Sequence, residues 1–330
     1  MNFNDFVGNH EVKAQLQELF EENKVFHAIL IEGEKGLGKK TLANIIAQTA
    51  VCSRPKMGVA CEECSDCKKV QKCIHPDVIY PEKTGVLQTY SIATVRKIRS
   101  DAYIAANEAQ NKVYIFSDVD NMGVPAQNAL LKVLEEPPKN VIFILTCTNF
   151  ANVLSTIRSR TQQIALKSVS QQELHKYLLQ NYPEENLNEI WQISKGNIGV
   201  ALNLIKLPDW KKTSDIAKKI ALSLVSSNEF ELMTLVAQLS DSKKEFSSML
   251  KIFSSILRDV MILLAKASVA DANDCAKTLS EKLSTPAKAH RAQLFIFIIR
   301  SVWRSASRYL KNPKKRLSKS PWTARNWLNA

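Results

Sequence analysis

Residues 29–47 read ILIEGEKGLGKKTLANIIA. An apolar run, a glycine-rich loop and a helix-period segment follow one another, the order of a buried strand, a tight turn and an amphipathic helix. The loop GEKGLGKKT comes within one residue of the phosphate-binding pattern G-x-x-x-x-G-K-[ST]. Gly33, Gly36, Gly38 and Lys39 keep the parts that cradle phosphate through backbone N–H groups and an ammonium. The next position is Lys40, where a nucleotide-hydrolysing site uses a hydroxyl to hold Mg²⁺. Thr41 comes one place late, about 100° further around the helix. A plain strand-to-helix turn is the bland alternative.

Working outward, KVYIFSDVD (112–120) and NVIFILTCT (140–148) are further apolar strands, with DVIYPE (77–82) and QQIAL (162–166) as shorter ones. Helical patterns alternate with them, which predicts an α/β domain around a parallel sheet. After Ala165 the texture turns helical: Ser170 and Glu173 have capping-box spacing, and the unit runs to Leu207. LPDW (207–210) reads as a boundary. In the long helix beyond, Phe246, Met249, Leu250, Phe253, Ile256, Leu257, Val260 and Leu264 share one face. Residues 292–310 are apolar around most of a helix, and the tail from 311 is basic with two tryptophans.

Four of the seven cysteines, Cys52, Cys61, Cys64 and Cys67, are spaced C-x₈-C-x₂-C-x₂-C. Paired C-x₂-C turns suit tetrahedral Zn²⁺, and four thiolates leave no open coordination position, so the expected role is structural. A loop with so few large apolar residues gains its folding energy from the metal. Cys73 and His75 are near enough to replace one ligand. Cys147 falls in a strand, and Cys275 in what reads as a polar loop.

The chain has 330 residues, 45 Lys+Arg against 32 Asp+Glu, and a net charge of +13. This length accommodates two or three domains. The charge suits work near nucleic acid or beside an acidic partner without choosing between them, and a zinc-dependent nucleic-acid module remains open on these grounds. No apolar run is long enough to span a membrane and the start has no signal-peptide pattern, so a cytoplasmic location is expected.

Three stretches carry a resemblance: AQNALLKVLEEPPKNVIFILTCT (126–148), LSTIRSRTQQI (154–164), and HAILIEGEKGLGKKT (27–41) with its four-cysteine insertion. Together they resemble the clamp-loader family of AAA+ ATPases, closely over residues 1–165 and more loosely beyond. The resemblance implies an AAA+ P-loop core with an inserted zinc module at about 52–67 (residues 1–165), a small helical lid (166–207) and an all-α collar that joins subunits (208–330). It implies a hetero-oligomeric ring with gamma/tau-type and delta-type subunits. That ring loads a sliding clamp onto primed DNA in the bacterial cytoplasm, at the nucleoid, with no membrane contact.

Residue by residue, Lys39 matches the P-loop lysine, Ser117 and Asp118 the paired acids after the third strand, and Thr148 the polar sensor. A one-residue shift would instead give Asp118 the metal role and leave Val119 at the base position. Arg160 matches the arginine of a Ser-Arg-Cys motif that acts on a neighbouring subunit's ATP, with Thr161 in place of the cysteine. Gly199 stands where a lid arginine touches phosphate. Departures at Lys40, Ser117 and Gly199 agree, and imply a subunit in which ATP or ADP binding is possible and hydrolysis is lost. The alternative is an active ATPase motor subunit. LEEPP as an ordinary helix end, and Arg158 and Arg160 as a solvated edge, are the bland readings of those residues.

Overall fold

The computed structural model describes residues 2–85, 88–183, 185–206, 210–226, 243–264 and 274–283. Five strands, β1 (Ala28–Glu32), β2 (Val78–Ile79), β3 (Lys112–Phe116), β4 (Val141–Cys147) and β5 (Gln162–Ala165), form one sheet in the order β2-β3-β4-β1-β5. Every pairing is parallel. The strands read as continuous apolar runs because both faces are covered. Ile29 and Ile31 of β1 join Val113, Ile115, Ile142 and Ile144 on one face, against Leu42, Ile45 and Ile46 of α2 (Lys39–Val51) and Leu16 of α1 (His10–Glu21). Leu30, Tyr114, Phe116, Phe143 and Leu145 face the other way. They meet Val95 and Ile98 of α4 (Ile92–Ala102) and Leu130, Val133 and Leu134 of α5 (Val124–Glu135). The short helix α3 (Ser65–Gln71) carries part of the cysteine module, and α6 (Ser155–Arg158) leads towards β5. This is the expected α/β core, a parallel sheet flanked by helices on both faces.

Asp77, fully buried just before β2, ties the loop after α4 to the sheet. Its carboxylate accepts the N–H groups of Asn107 (2.6 Å), Glu108 (2.7 Å) and Ala109 (2.9 Å) and the Asn107 amide at 3.1 Å. Burial pushes its pKa up, but these donors outweigh burial and hold it below the usual carboxylate range. A depressed folded-state pKa gives stability that is present above the unfolded value of about 3.9 and is lost as pH falls through the folded value. Asp77→Asn turns one acceptor into a donor facing N–H groups. It is expected to cost about 2–3 kcal/mol at neutral pH, read from the urea midpoint, and to flatten the acid limb of stability.

The segment after β5 is helical as expected: α7 (Gln171–Asn181), α8 (Leu187–Ser194) and α9 (Ile198–Ile205). The capping box is formed, with Ser170 N–H donating to Glu173 at 2.8 Å and Glu173 N–H to the Ser170 hydroxyl at 3.3 Å. Contacts divide the chain into Met1–Trp210 and Lys211–Ala330. In the second unit the described helices are α10 (Trp210–Ser226, which begins on the first unit's last residue), α11 (Lys243–Leu264) and α12 (Asp274–Leu283). Met249, Ile256, Leu257 and Val260 of α11 are buried as their spacing predicts, but so are Ile252 and Asp259, and Phe253 is only half-buried. The buried arc is therefore broader than one stripe. Cys275 is in α12, not in a loop, half-buried with its sulfur 3.8 Å from the Lys218 carbonyl. The Asp- and Asn-rich approach reads as a turn, and the helix starts at its end. Leu207–Asp209 of the expected boundary, the apolar segment 292–310 and the basic tail lie outside the described residues.

Candidate functional site

The glycine-rich loop joins β1 to α2, as the sequence pattern predicts. Gly36 and Gly38 adopt positive φ (105° and 87°), which lets the backbone turn sharply into the helix. Lys39 is buried, and its ammonium donates to the carbonyls of Gly33 and Glu34 (3.0 Å to the latter). Burial lowers its pKa, against the attraction of Asp118, Asp120, Cys147 and Glu34. Lys40 is exposed, and Thr41 is half-buried in the first turn of α2.

The acidic end of the site departs from the sequence reading in detail. Ser117 follows β3, and its N–H donates to the Tyr90 hydroxyl at 2.8 Å. Asp118 takes a left-handed conformation (φ 56°) and its carboxylate pairs with Lys83 at 2.7 Å. Thr148, which the resemblance matches to a sensor, is exposed just past β4, and its N–H donates to Asp120 at 2.9 Å. The threonine that touches Asp118 is Thr146, fully buried, whose hydroxyl accepts the Asp118 N–H at 3.1 Å. Neither Lys83 nor Thr146 belongs to a recognisable motif. Thr146 alone leaves a trace, as a polar residue inside an apolar strand.

The start of α9 and the residue before it come down directly on the loop. Gly199 N–H donates to the Gly36 carbonyl (2.9 Å), and the Asn197 amide to the Lys35 carbonyl (3.1 Å). Asn197 is buried and also caps α9 by accepting the Val200 N–H at 3.1 Å. A Cβ on Gly199 would lie 2.6 Å from the Gly36 Cα. Gly199 is thus a contact residue in its own right.

Arg160 lies between α6 and β5, a strand at the sheet edge. Gln162 pairs with Ile29 near the start of β1, whereas the P-loop leaves from the far end of that strand. Arg160 is therefore at the opposite end of the sheet from its own P-loop. Its guanidinium pairs with Glu135 of the LEEPP stretch at 3.0 Å and donates to the Thr156 carbonyl at 2.9 Å. Arg160 is part-exposed and Arg158 half-buried, so neither is a freely solvated side chain.

The sulfurs of Cys52, Cys61, Cys64 and Cys67 all lie within 4.8 Å of one another. Three of the separations are 3.5 Å (Cys52–Cys61), 4.0 Å (Cys52–Cys64) and 4.0 Å (Cys61–Cys67). A ZnS₄ tetrahedron with bonds of about 2.3 Å has edges of about 3.8 Å, so the donor set fits that ion. N–H groups of Cys61 and Cys67 point at the sulfurs of Cys52 and Cys64, each at 3.4 Å. Burial would raise the Cys64 thiol, but the Cys67 N–H and Ser53 bring it down to about 6, whereas burial raises Cys67. Cys73 is exposed and outside the cluster. His75 is buried beside Asp66 and Glu108, but its Nδ1 accepts the Asp77 N–H at 3.0 Å. The ring proton is then on Nε2, 3.8 Å from Asp66, which is the wrong tautomer for ligation there.

Among the described residues no helix is long and apolar enough to cross a membrane. Residues 8–170 match the family described as DNA polymerase III, delta subunit. The chain is 29% identical over 212 residues to the DNA polymerase III subunit gamma of Buchnera aphidicola subsp. Schizaphis graminum, covering 62% of this chain and 58% of that protein. It is 29% identical over 224 residues to subunit delta′ of the same organism, covering 67% of each. A gamma-subunit-related protein from Thermotoga maritima superposes with a TM-score of 0.46 and 17% identity over 88% of this chain and 98% of that one. The match spans less than two-thirds of the gamma relative, 58% of its length. The chain is thus similar to gamma-type and delta′-type subunits of DNA polymerase III, at the same 29% identity to each.

Proposed function

We propose that this chain is the delta′-type subunit of the DNA polymerase III clamp loader, a ring member that does not hydrolyse ATP and serves a neighbour's site. Its partners are gamma/tau-type and delta-type subunits, with the sliding clamp and primed DNA engaged through the assembled complex. In this reading residues 1–165 are the core, 166–207 the lid and 208–330 the collar. Cys52, Cys61, Cys64 and Cys67 hold a structural Zn²⁺. Gly33, Gly36, Gly38, Lys39 and Thr41 are a degenerate P-loop that retains at most passive nucleotide binding. The site of work is the bacterial cytoplasm, at the nucleoid.

One asymmetry supports this reading. The chain's own P-loop lacks the hydroxyl at Lys40 and the first acid at Ser117, while Arg160 lies on the sheet edge far from that loop. A planar guanidinium there can pair with the γ-phosphate of an adjoining subunit and stabilise charge developing during transfer. Arginine fingers are worth about 10³–10⁵ in rate.

The expected result is that the reconstituted complex carrying Arg160→Ala assembles normally but loses about 10³-fold in turnover at the one site it serves, with slower clamp loading. Turnover at the other sites is retained, and Arg160→Lys recovers little, since an ammonium lacks the fork. Normal DNA-stimulated hydrolysis and loading by the Arg160→Ala complex would remove the trans-acting role. The rival, an active motor subunit, draws on the retained Lys39 and the equal likeness to gamma. Robust turnover by the purified chain, abolished by Lys39→Ala, would establish the rival instead.

A further inference from the structure

Lys83 is in the segment after β2, where a bridge between Thr84 and Thr89 folds the chain back on itself. The fold-back sets Lys83 beside Tyr90, with the ammonium 5.5 Å from the ring centre. Tyr90 is buried edge-on against Phe116, centroids 5.2 Å apart, and its hydroxyl takes the Ser117 N–H. Lys83 Nζ reaches Asp118 Oδ2 at 2.7 Å. Both positions that match the paired acids are thus engaged by one fold-back, Ser117 through its backbone and Asp118 through its carboxylate.

A P-loop site of this class implies Mg²⁺, held by the loop hydroxyl and the acid that ends the neighbouring strand. Mg²⁺ demands near-octahedral oxygen ligands at about 2.0–2.1 Å. The residues present do not fit it. Lys40 replaces the hydroxyl, Ser117 has no carboxylate, and Asp118 is already paired with a cation. Burial would raise the Asp118 pKa, but Lys83, with Lys40 and Lys39 behind it, holds it below the usual range. Three ammonium groups bear on this one carboxylate, and each repels an arriving dication.

We propose that Lys83 stands in for the divalent cation: it is a built-in counter-ion for Asp118 that excludes Mg²⁺ from the acidic end of the P-loop site. A tethered ammonium carries no concentration dependence, so the position is filled whatever the magnesium level. The side chains of Lys83 and Asp118 are 22% and 33% exposed, so the pair is part-shielded from competing salt. The inference rests on the P-loop reading of this site and on its geometry, not on the role proposed for Arg160.

Mn²⁺ is the probe, titrated against the full-length chain and followed by loss of the free-ion spin-resonance signal. The native chain and Asp118→Asn are expected to titrate alike. Lys83→Gln is expected to bind Mn²⁺ at least tenfold more tightly than the native chain, and adding Asp118→Asn should abolish the gain. Lys83→Met, which keeps the aliphatic stem, repeats the test should the glutamine variant fail to fold. Lys83→Arg keeps the charge and should remain blind to Mn²⁺. Native Mn²⁺ binding that weakens on Asp118→Asn would overturn the proposal. So would equal affinities of the native chain and a folded Lys83→Gln or Lys83→Met variant. The measurement uses the isolated chain, so failure here leaves the Arg160 reading untouched.

Discussion

Cys64→Ser is expected to remove bound zinc and to disorder the 52–67 module. Elemental analysis should find one zinc per native chain and substoichiometric metal in the variant. The substitution is discriminating, because the Cys64 side chain also caps α3 by accepting the Cys67 N–H. Serine is a good cap, so the variant keeps that bond and loses the soft ligand. The apolar cluster inside the module consists of Cys52, Ala60, Cys64 and Cys67, with Cys61 packed against it. That is too little to order a loop of this length, whereas structural Zn²⁺ supplies about 10–16 kcal/mol of apparent binding energy in zinc-finger peptides. The sheet has its own two-sided core, so unfolding should be local, seen as fast amide exchange across the module with the strands protected. A native chain free of stoichiometric zinc ends this assignment, as does a serine variant with full metal content.

Gly199→Arg would place an arginine where the clamp-loader resemblance expects one, and here it is expected to damage the protein. The new Cβ would meet the Gly36 Cα at 2.6 Å and the Gly36 carbonyl oxygen at 2.7 Å. Backbone atoms on both sides cannot yield as a side-chain tip would. Overpacking of this kind costs about 1–3 kcal/mol, and the Gly199–Gly36 hydrogen bond of 2.9 Å is lost with it. Gly199→Ala carries the same collision without the charge, so it should shift the urea midpoint in the same direction. Amide exchange should quicken at the P-loop and at the start of α9 as the two part. An alanine variant with the native midpoint would show that the lid does not bear on the loop in solution. An arginine variant that gains tight nucleotide binding at native stability would show the same.

The core was legible because its signals are local. A parallel sheet covered on both faces announces itself as apolar runs such as residues 141–147, and the capping box at Ser170 and the cysteine spacing are read within a few residues of chain. The sequence also placed the glycine-rich loop between an apolar strand and a helix, which is where the structure has it, between β1 and α2. It could not show what fills the site. Lys83 reaches Asp118 across a fold-back of the chain, and Gly199 meets Gly36 across the lid, and no periodicity encodes either contact. In the sequence Gly199 reads only as a departure from the expected arginine, whereas the structure shows the backbone approach that a glycine permits. Likewise Thr146 and Thr148 are two apart on one strand end, and only three-dimensional placement distinguishes the one that holds Asp118 from the one that faces out.

The strand order also bears on how the chain is made. Leu30 of β1 pairs with Leu145 and Gln163, so β1 finds neither neighbour until most of the first unit has been synthesised. At roughly 5–20 residues per second a nascent β1 spends several seconds as an unpaired, strongly apolar segment. The cysteine module needs no such wait, since its four cysteines emerge within one short stretch. Metal capture can therefore precede sheet closure and anchor the end of α2 while the remaining strands are still in the ribosome. Zinc starvation during synthesis would then lower the yield of folded chain more than zinc removal from the finished protein lowers its stability.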